Sequence, residues 1–142
     1  MPEKIELEVV TPERHLLTQA VDWIEMPGKE GYLGILPGHA PLITELGIGI
    51  LTYRAGETER YLTVIQGYAE VLPDRVIVLA EIAERAEEID VARTRSALDR
   101  AKAAVARADS RDPEWDHASL ALERAMVRLQ AAAKTGAAGT QE

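Results

Sequence analysis

Five arginines near the C-terminal end are spaced as if to hold an anion. Arg93, Arg100 and Arg107 recur every seven residues, and Arg124 and Arg128 stand four apart. On a helix, a seven-residue repeat keeps side chains on one stripe, and a four-residue step stacks them one turn apart. The ordinary reading of such a stripe is a solvated face with local ion pairs. Arg100, Arg124 and Arg128, however, have no Asp or Glu three or four positions away. Arg124 and Arg128 instead repel each other slightly. Guanidinium groups without local partners suit a carboxylate cluster or a phosphate.

Other chemistry is scarce. His15, His39 and His117 are scattered without metal-ligand spacing, and there is no Cys. Disulfides, thiolate nucleophiles and Cys-based zinc sites are therefore excluded. No Ser stands in a nucleophile-elbow context. Carboxylate pairs such as Glu87–Glu88 and Glu57/Glu59 read as surface charge. The residues thus describe a non-catalytic protein that needs no cofactor and no metal.

The formal net charge of −8 argues against nucleic acid or anionic lipid as a partner. The charge is uneven. Residues 1–85 carry 14 acidic and 7 basic side chains, whereas residues 86–142 carry 10 and 9. The arginines thus sit in a locally arginine-rich, nearly neutral part of an acidic protein. The segment from Met1 to Ile5 has no apolar run of signal-peptide or membrane-span length, so a soluble cytosolic protein is expected.

The elements that must position these arginines are helical. From Asp90, the residues Val91, Thr94, Leu98, Ala101, Val105 and Ala108 fall on alternating three- and four-residue steps. Asp90 is a natural N-cap. The stretch Ala108–Pro113 breaks the helix. Asp112 and Pro113 restart it, with Glu114 at the positive end of the dipole. A second seam follows: Trp115, Ala118, Leu122, Ala125, Leu129 and Ala132. A short loop between similar helices predicts an antiparallel hairpin over 90–134, each helix about 18 residues or roughly 27 Å long. Residues 135–142 are expected to be a disordered tail. Alanine seams bury little area, so the hairpin is marginal alone. It is expected to lean on the preceding domain, a ligand or another chain.

Upstream, the period is two. Ile5, Leu7 and Val9 alternate with charged residues. Short β-rich runs follow at Ala20–Met26, Gly49–Tyr53, Tyr61–Gln66, Tyr68–Leu72 and Val76–Leu79. With no helix between them, they predict a β-sandwich over 1–84, joined to the hairpin by a linker at 85–89. The fold class is α+β: an N-terminal all-β sandwich, then a C-terminal antiparallel two-helix hairpin. Aromatic residues are only 4% and Phe is absent, so Ile, Leu and Val must build the core. Gly67 marks a bulge or sharp bend. The stretch from Pro27 to Thr44 holds Gly28, Gly31, Gly34 and Gly38 among Pro27, Pro37 and Pro41. It reads as a rim of tight turns, either scaffolding or a surface shaped for a partner. It lacks the spacing of a phosphate loop.

Three segments carry a family resemblance: 34–42 (Gly-Ile-Leu-Pro-Gly-His-Ala-Pro-Leu), 65–71 (Ile-Gln-Gly-Tyr-Ala-Glu-Val) and 83–90 (Ala-Glu-Arg-Ala-Glu-Glu-Ile-Asp). With the order of sandwich and hairpin, they make the chain resemble the ε subunit of bacterial F-type ATP synthases, over nearly its whole length to about Lys134. The resemblance implies a rotor subunit of the central stalk. Its implied partners are the γ subunit, the c-ring and the α/β catalytic ring, with the membrane reached only through the complex at the cytoplasmic face. It implies coupling of proton flow to rotation, and contacts through the rim by Glu30, Tyr32 and His39. It also implies a movable hairpin that permits ATP hydrolysis when folded down and inhibits it when extended.

Some members of that family bind ATP on the hairpin as a regulatory ligand. Their motif is matched here by Ile89, Asp90 and Arg93, and the family's upstream glutamate by Glu84. Arg100, Arg124 and Arg128 match further family arginines. Thr94 replaces the motif's alanine, which adds bulk and a hydroxyl near the implied adenine pocket. Two alternatives stay open: a structural stalk clamp that binds no nucleotide, and an unrelated ligand-binding sandwich with a dimerising hairpin.

Overall fold

The computed structural model describes residues 3–140, with side chains described to residue 135. Seven strands come first: β1 (Ile5–Val10), β2 (His15–Val21), β3 (Trp23–Gly28), β4 (Gly31–Ile35), β5 (Leu42–Ala55), β6 (Thr58–Leu72) and β7 (Arg75–Arg85). A 3-10 turn (Ala86–Glu88) and two helices follow, α1 (Val91–Arg107) and α2 (Pro113–Thr140). The chain divides into two compact units, residues 1–85 and residues 86–142.

The strands form one sheet in the order β2-β1-β7-β6-β5-β3-β4, folded on itself as a sandwich. Only the β1–β7 pair is parallel. In β1 the alternation does what period two requires: Ile5, Leu7 and Val9 are buried and Glu6 is exposed.

The fold-over is built into the three long central strands. Core positions on β6 are Leu62 and Val64, then Ala69 and Val71. On β7 they are Val76, Val78 and Ala80, then Ala83, and on β5 they are Leu46, then Leu51 and Tyr53. In each strand the inward face changes parity at the same level. Yet β5–β6 and β6–β7 keep one register from end to end. The chain therefore turns over by backbone rotation, not by an extra residue. Gln66 (φ 57°) and Gly67 (φ 140°) make that rotation in β6. A Cβ at Gly67 would lie 2.1 Å from the Leu79 carbonyl oxygen, so only glycine fits. The two runs expected on either side of Gly67 are thus one bent strand, and one apolar core fills both layers. The layers are tied across: Tyr53 Oη donates to Gln19 Oε1 at 3.4 Å, and Arg85 Nη2 donates to the Leu16 carbonyl at 2.8 Å.

Several strands differ from the sequence expectation, β5 among them, which begins at Leu42 and not at Gly49. The run Ala20–Met26 is cut at Asp22, which ends β2 and precedes β3. Its N–H donates to the Arg54 carbonyl at 2.7 Å, its Oδ2 accepts from the Gly56 N–H at 2.8 Å, and Lys4 bonds its Oδ1. These bonds, Lys4 first, hold the Asp22 carboxyl below the usual carboxylate range. The glycine-rich rim is not all turn. Gly31–Ile35 pairs with β3 through a two-residue connection, Lys29–Glu30, and forms an edge strand. Gly31 and Gly34, one on each face of the strand, leave gaps in the alternation and hid the period. The residues assigned to a linker at 85–89 hold the last residue of β7 and the 3-10 turn.

In the second unit, Asp90 caps α1 by accepting the Arg93 N–H at 3.0 Å. The break falls at 108–112. There Arg111 N–H donates to Asp109 Oδ1 at 3.0 Å, and Trp115 N–H takes the Asp112 carbonyl at 3.0 Å, the first bond of α2. The two helices pack on each other along the expected seam. Thr94, Ala101, Ala118 and Ala125 are buried, while Leu98, Val105, Leu122 and Leu129 are half-buried. α2 is longer than expected, 28 residues to α1's 17, and continues through 135–140. Residues 141 and 142 lie outside the described residues. α2 has a second covered stripe at Val127 and Ala131, and the 3-10 turn packs against this helix.

Candidate functional site

The arginines occupy equivalent positions on the two helices. Arg93 and Arg100 each precede a buried seam residue, Thr94 and Ala101. Arg124 and Arg128 precede Ala125 and Leu129 in the same way. In an antiparallel pair, positions of the same kind on both helices lie along one flank. The hairpin thus gathers cations from both helices on one side. Their environments differ. Arg93, Arg100 and Arg107 are exposed and form no salt bridge among the described residues. Arg124 and Arg128 lie between the seam and the second stripe of α2, and are half-buried. Arg124 Nε is shut off from solvent and has no hydrogen-bond partner. A buried N–H left unbonded costs free energy, more so on a charged group. An acceptor brought by a ligand would remove that cost. Arg128 already makes interactions within the chain, so it is not a spare cation.

The remaining residues expected near a nucleotide fall as follows. Ile89 is buried, just before the cap. Asp90 is the cap itself. Thr94 is fully buried, and its hydroxyl donates to the Asp90 carbonyl at 2.7 Å. Glu84 belongs to the other unit, on β7, and accepts from Thr63 Oγ1 at 3.4 Å.

The rim residues belong to the sandwich. Glu30 lies in the β3–β4 turn beside a hollow of about 240 Å³ that Lys29, Tyr32 and Glu45 also line. Tyr32 stands on edge strand β4 and is 55% exposed as a residue, but its hydroxyl is occupied, accepting the Ile50 N–H at 3.0 Å. His39 is in the turn after β4, where its N–H donates to the Leu36 carbonyl and Nδ1 bonds the Ala40 carbonyl at 2.7 Å. The hollow and His39 are separate features. Sequence reasoning missed an outward apolar row, Val10–Leu79–Tyr68, formed by neighbouring strands β1, β7 and β6. Leu79 and Tyr68 are more than half exposed. The available signal was Val76–Leu79, a run apolar on both faces. Among the described residues no group of His, Asp and Glu could hold a metal, and no helix is long and apolar enough to cross a membrane.

The two units correspond to two family domains. Residues 4–86 match the β-sandwich domain of the ATP synthase delta/epsilon chain, and residues 87–133 match its long α-helix domain. The chain belongs to the ATP synthase delta/epsilon family. Its similar relatives are epsilon chains. That of Syntrophobacter fumaroxidans is 48% identical over 135 residues, covering 95% of this chain and 100% of the relative. That of Solibacter usitatus is 54% identical over 102 residues, 72% of this chain and 76% of the relative. A chain in the Euglena gracilis mitochondrial ATP synthase (OSCP, F1 and c-ring, in one rotational state) superposes with a TM-score of 0.80 at 27% identity. That match covers 93% of this chain and 82% of the other. Like these epsilon chains, it is a non-catalytic subunit.

Proposed function

We propose that this chain is a rotor subunit of the central stalk of a bacterial, proton-translocating ATP synthase. In this reading the sandwich is the permanent coupling element, set against the γ subunit and the c-ring. The rim with Glu30, Tyr32 and His39, and the apolar row at Tyr68 and Leu79, are its contact surfaces. The complex holds it at the cytoplasmic face of the plasma membrane as a peripheral component. The hairpin is a regulator that restrains ATP hydrolysis when extended toward the α/β ring.

ATP is the regulatory ligand in this reading, and it holds the hairpin closed. The observation that carries it is the buried, unbonded Nε of Arg124 on the flank where both helices present arginines. A polyphosphate offers many acceptors to that flank and would neutralise it. Closing by ATP is limited to the difference in ATP affinity between the two hairpin states. An alanine-rich seam keeps the states close enough in free energy for that difference to matter.

Two measurements test the proposal. Co-purification with the α, β and γ chains is expected; isolation as a lone homodimer would defeat the rotor role. Titration calorimetry with ATP and MgATP is expected to give a binding heat, and the Arg124→Ala/Arg128→Ala variant to weaken affinity at least about tenfold. No heat at millimolar nucleotide would leave the rotor role and remove the sensor.

A further inference from the structure

The motif residues Asp90 and Thr94 bond to each other and to the first turn of α1, and this gives them a different task from the arginines. The Asp90 carboxylate accepts the Arg93 N–H at 3.0 Å through Oδ1. Its carbonyl accepts twice from Thr94, from the N–H at 3.0 Å and from the hydroxyl at 2.7 Å. Asp90 itself is in the extended conformation that an N-cap requires, φ −78° and ψ 103°. Thr94 is the one buried polar residue among the described residues of the hairpin, at 0% exposure. A helical threonine that bonds the carbonyl four residues back has its hydroxyl in the helix's own groove. Its bulk therefore lies in the seam, away from the flank that carries the arginines.

We propose that Asp90 and Thr94 form an internal latch that sets the first turn of α1 and aims Arg93, so that both are positioning residues and neither touches the ligand. Electrostatics agrees. A free carboxylate beside a polyphosphate is repulsive, whereas the Asp90 charge is taken up by the positive end of α1. Arg93, between the two latch residues, is exposed and without a salt bridge among the described residues, ready to meet an anion. The latch rests on the nucleotide reading only for its consequence. Its geometry is independent of any ligand.

The test compares the full chain with Asp90→Ala, Asp90→Ser and Thr94→Ala, by ATP calorimetry and by amide hydrogen exchange in the first turn of α1. Asp90→Ala is expected to weaken ATP about fivefold and to speed exchange of the Arg93 amide by a similar factor, the size of a lost cap. Serine also caps, so Asp90→Ser is expected to recover both to within about twofold. Thr94→Ala is expected to change ATP affinity by less than about threefold, because its side chain fills the seam. Asp90→Ser as weak as Asp90→Ala would mean that the carboxylate meets the nucleotide, which overturns the proposal. So would a gain of more than about tenfold for Thr94→Ala, the sign of a side chain intruding on the ligand. If the unaltered chain binds no ATP, the nucleotide reading fails and exchange decides the latch alone: unchanged exchange in Asp90→Ala refutes it, and fast exchange recovered in Asp90→Ser supports it.

Discussion

The sandwich and the hairpin are built from opposite materials. The sandwich core is Ile, Leu, Val and Met at nearly zero exposure, with Ile5, Leu7, Ile24, Met26, Leu51 and Leu62 fully enclosed. The hairpin seam is buried chiefly at Ala101, Ala118 and Ala125, while its larger members Leu98, Val105, Leu122 and Leu129 are only half covered. A buried Leu removes several times the apolar area of a buried Ala, so the stability of the two units differs for a reason visible in side-chain volume. A rotor coupling must not yield under load, whereas a regulator must have two states within reach of a ligand's differential affinity.

The contrast can be broken at its strongest point. Gly67→Ala places a methyl group against the Leu79 carbonyl and the Ala80 Cα at a φ that L-residues avoid. It is expected to cost the sandwich about 3 kcal/mol or more. The chain has two tryptophans, Trp23 on β3 and Trp115 on α2, so each unit carries its own fluorescent reporter. Urea titration followed at Trp23 checks the loss; an unaltered midpoint would mean that the corner is not strained by a side chain. Next in size, Leu51→Ala in the core is expected to cost about 3 kcal/mol. The same truncation at half-buried Leu122 costs about 1 kcal/mol, read at Trp115. Equal losses at the two positions would erase the difference between the units.

The smallest effect concerns the edge of the sandwich. The Asp22 carboxyl titrates below its unfolded value of 3.8 because Lys4 and Gly56 bond its charged form. A carboxylate depressed in the folded state contributes stability above the unfolded pKa and loses it as pH falls through the folded one. Asp22→Asn is therefore expected to match the parent more closely as pH drops below about 4 and to fall behind it above. Unfolding midpoints across that range test this. A constant gap at all pH values would show that the charge of Asp22 is not what matters.

How much of this could be read from residues alone varied with locality. β1 was legible because its alternation is strict and one face is wet. The helical seams were legible because a three- and four-residue step on two segments has one geometric meaning, and the break at Asp112–Pro113 is local chemistry. β4 was not legible, since Gly31 and Gly34 replace the side chains whose alternation would announce it. The end of β2 at Asp22 was not legible either. Its bonding partners Arg54 and Gly56 lie more than thirty residues away.

The arginines show the same division. Their repeat, their shared flank and the absence of nearby carboxylates follow from spacing on a helix, and so belong to the sequence itself. Only the tertiary structure made Arg124 different from Arg100, closing its Nε off from solvent while Arg100 stays exposed. Period alone put Thr94 in the seam, but only the tertiary structure bonded its hydroxyl to the Asp90 carbonyl. Period and propensity are properties of neighbours along the chain. Burial depends on what comes to lie against a residue, and no local pattern records that.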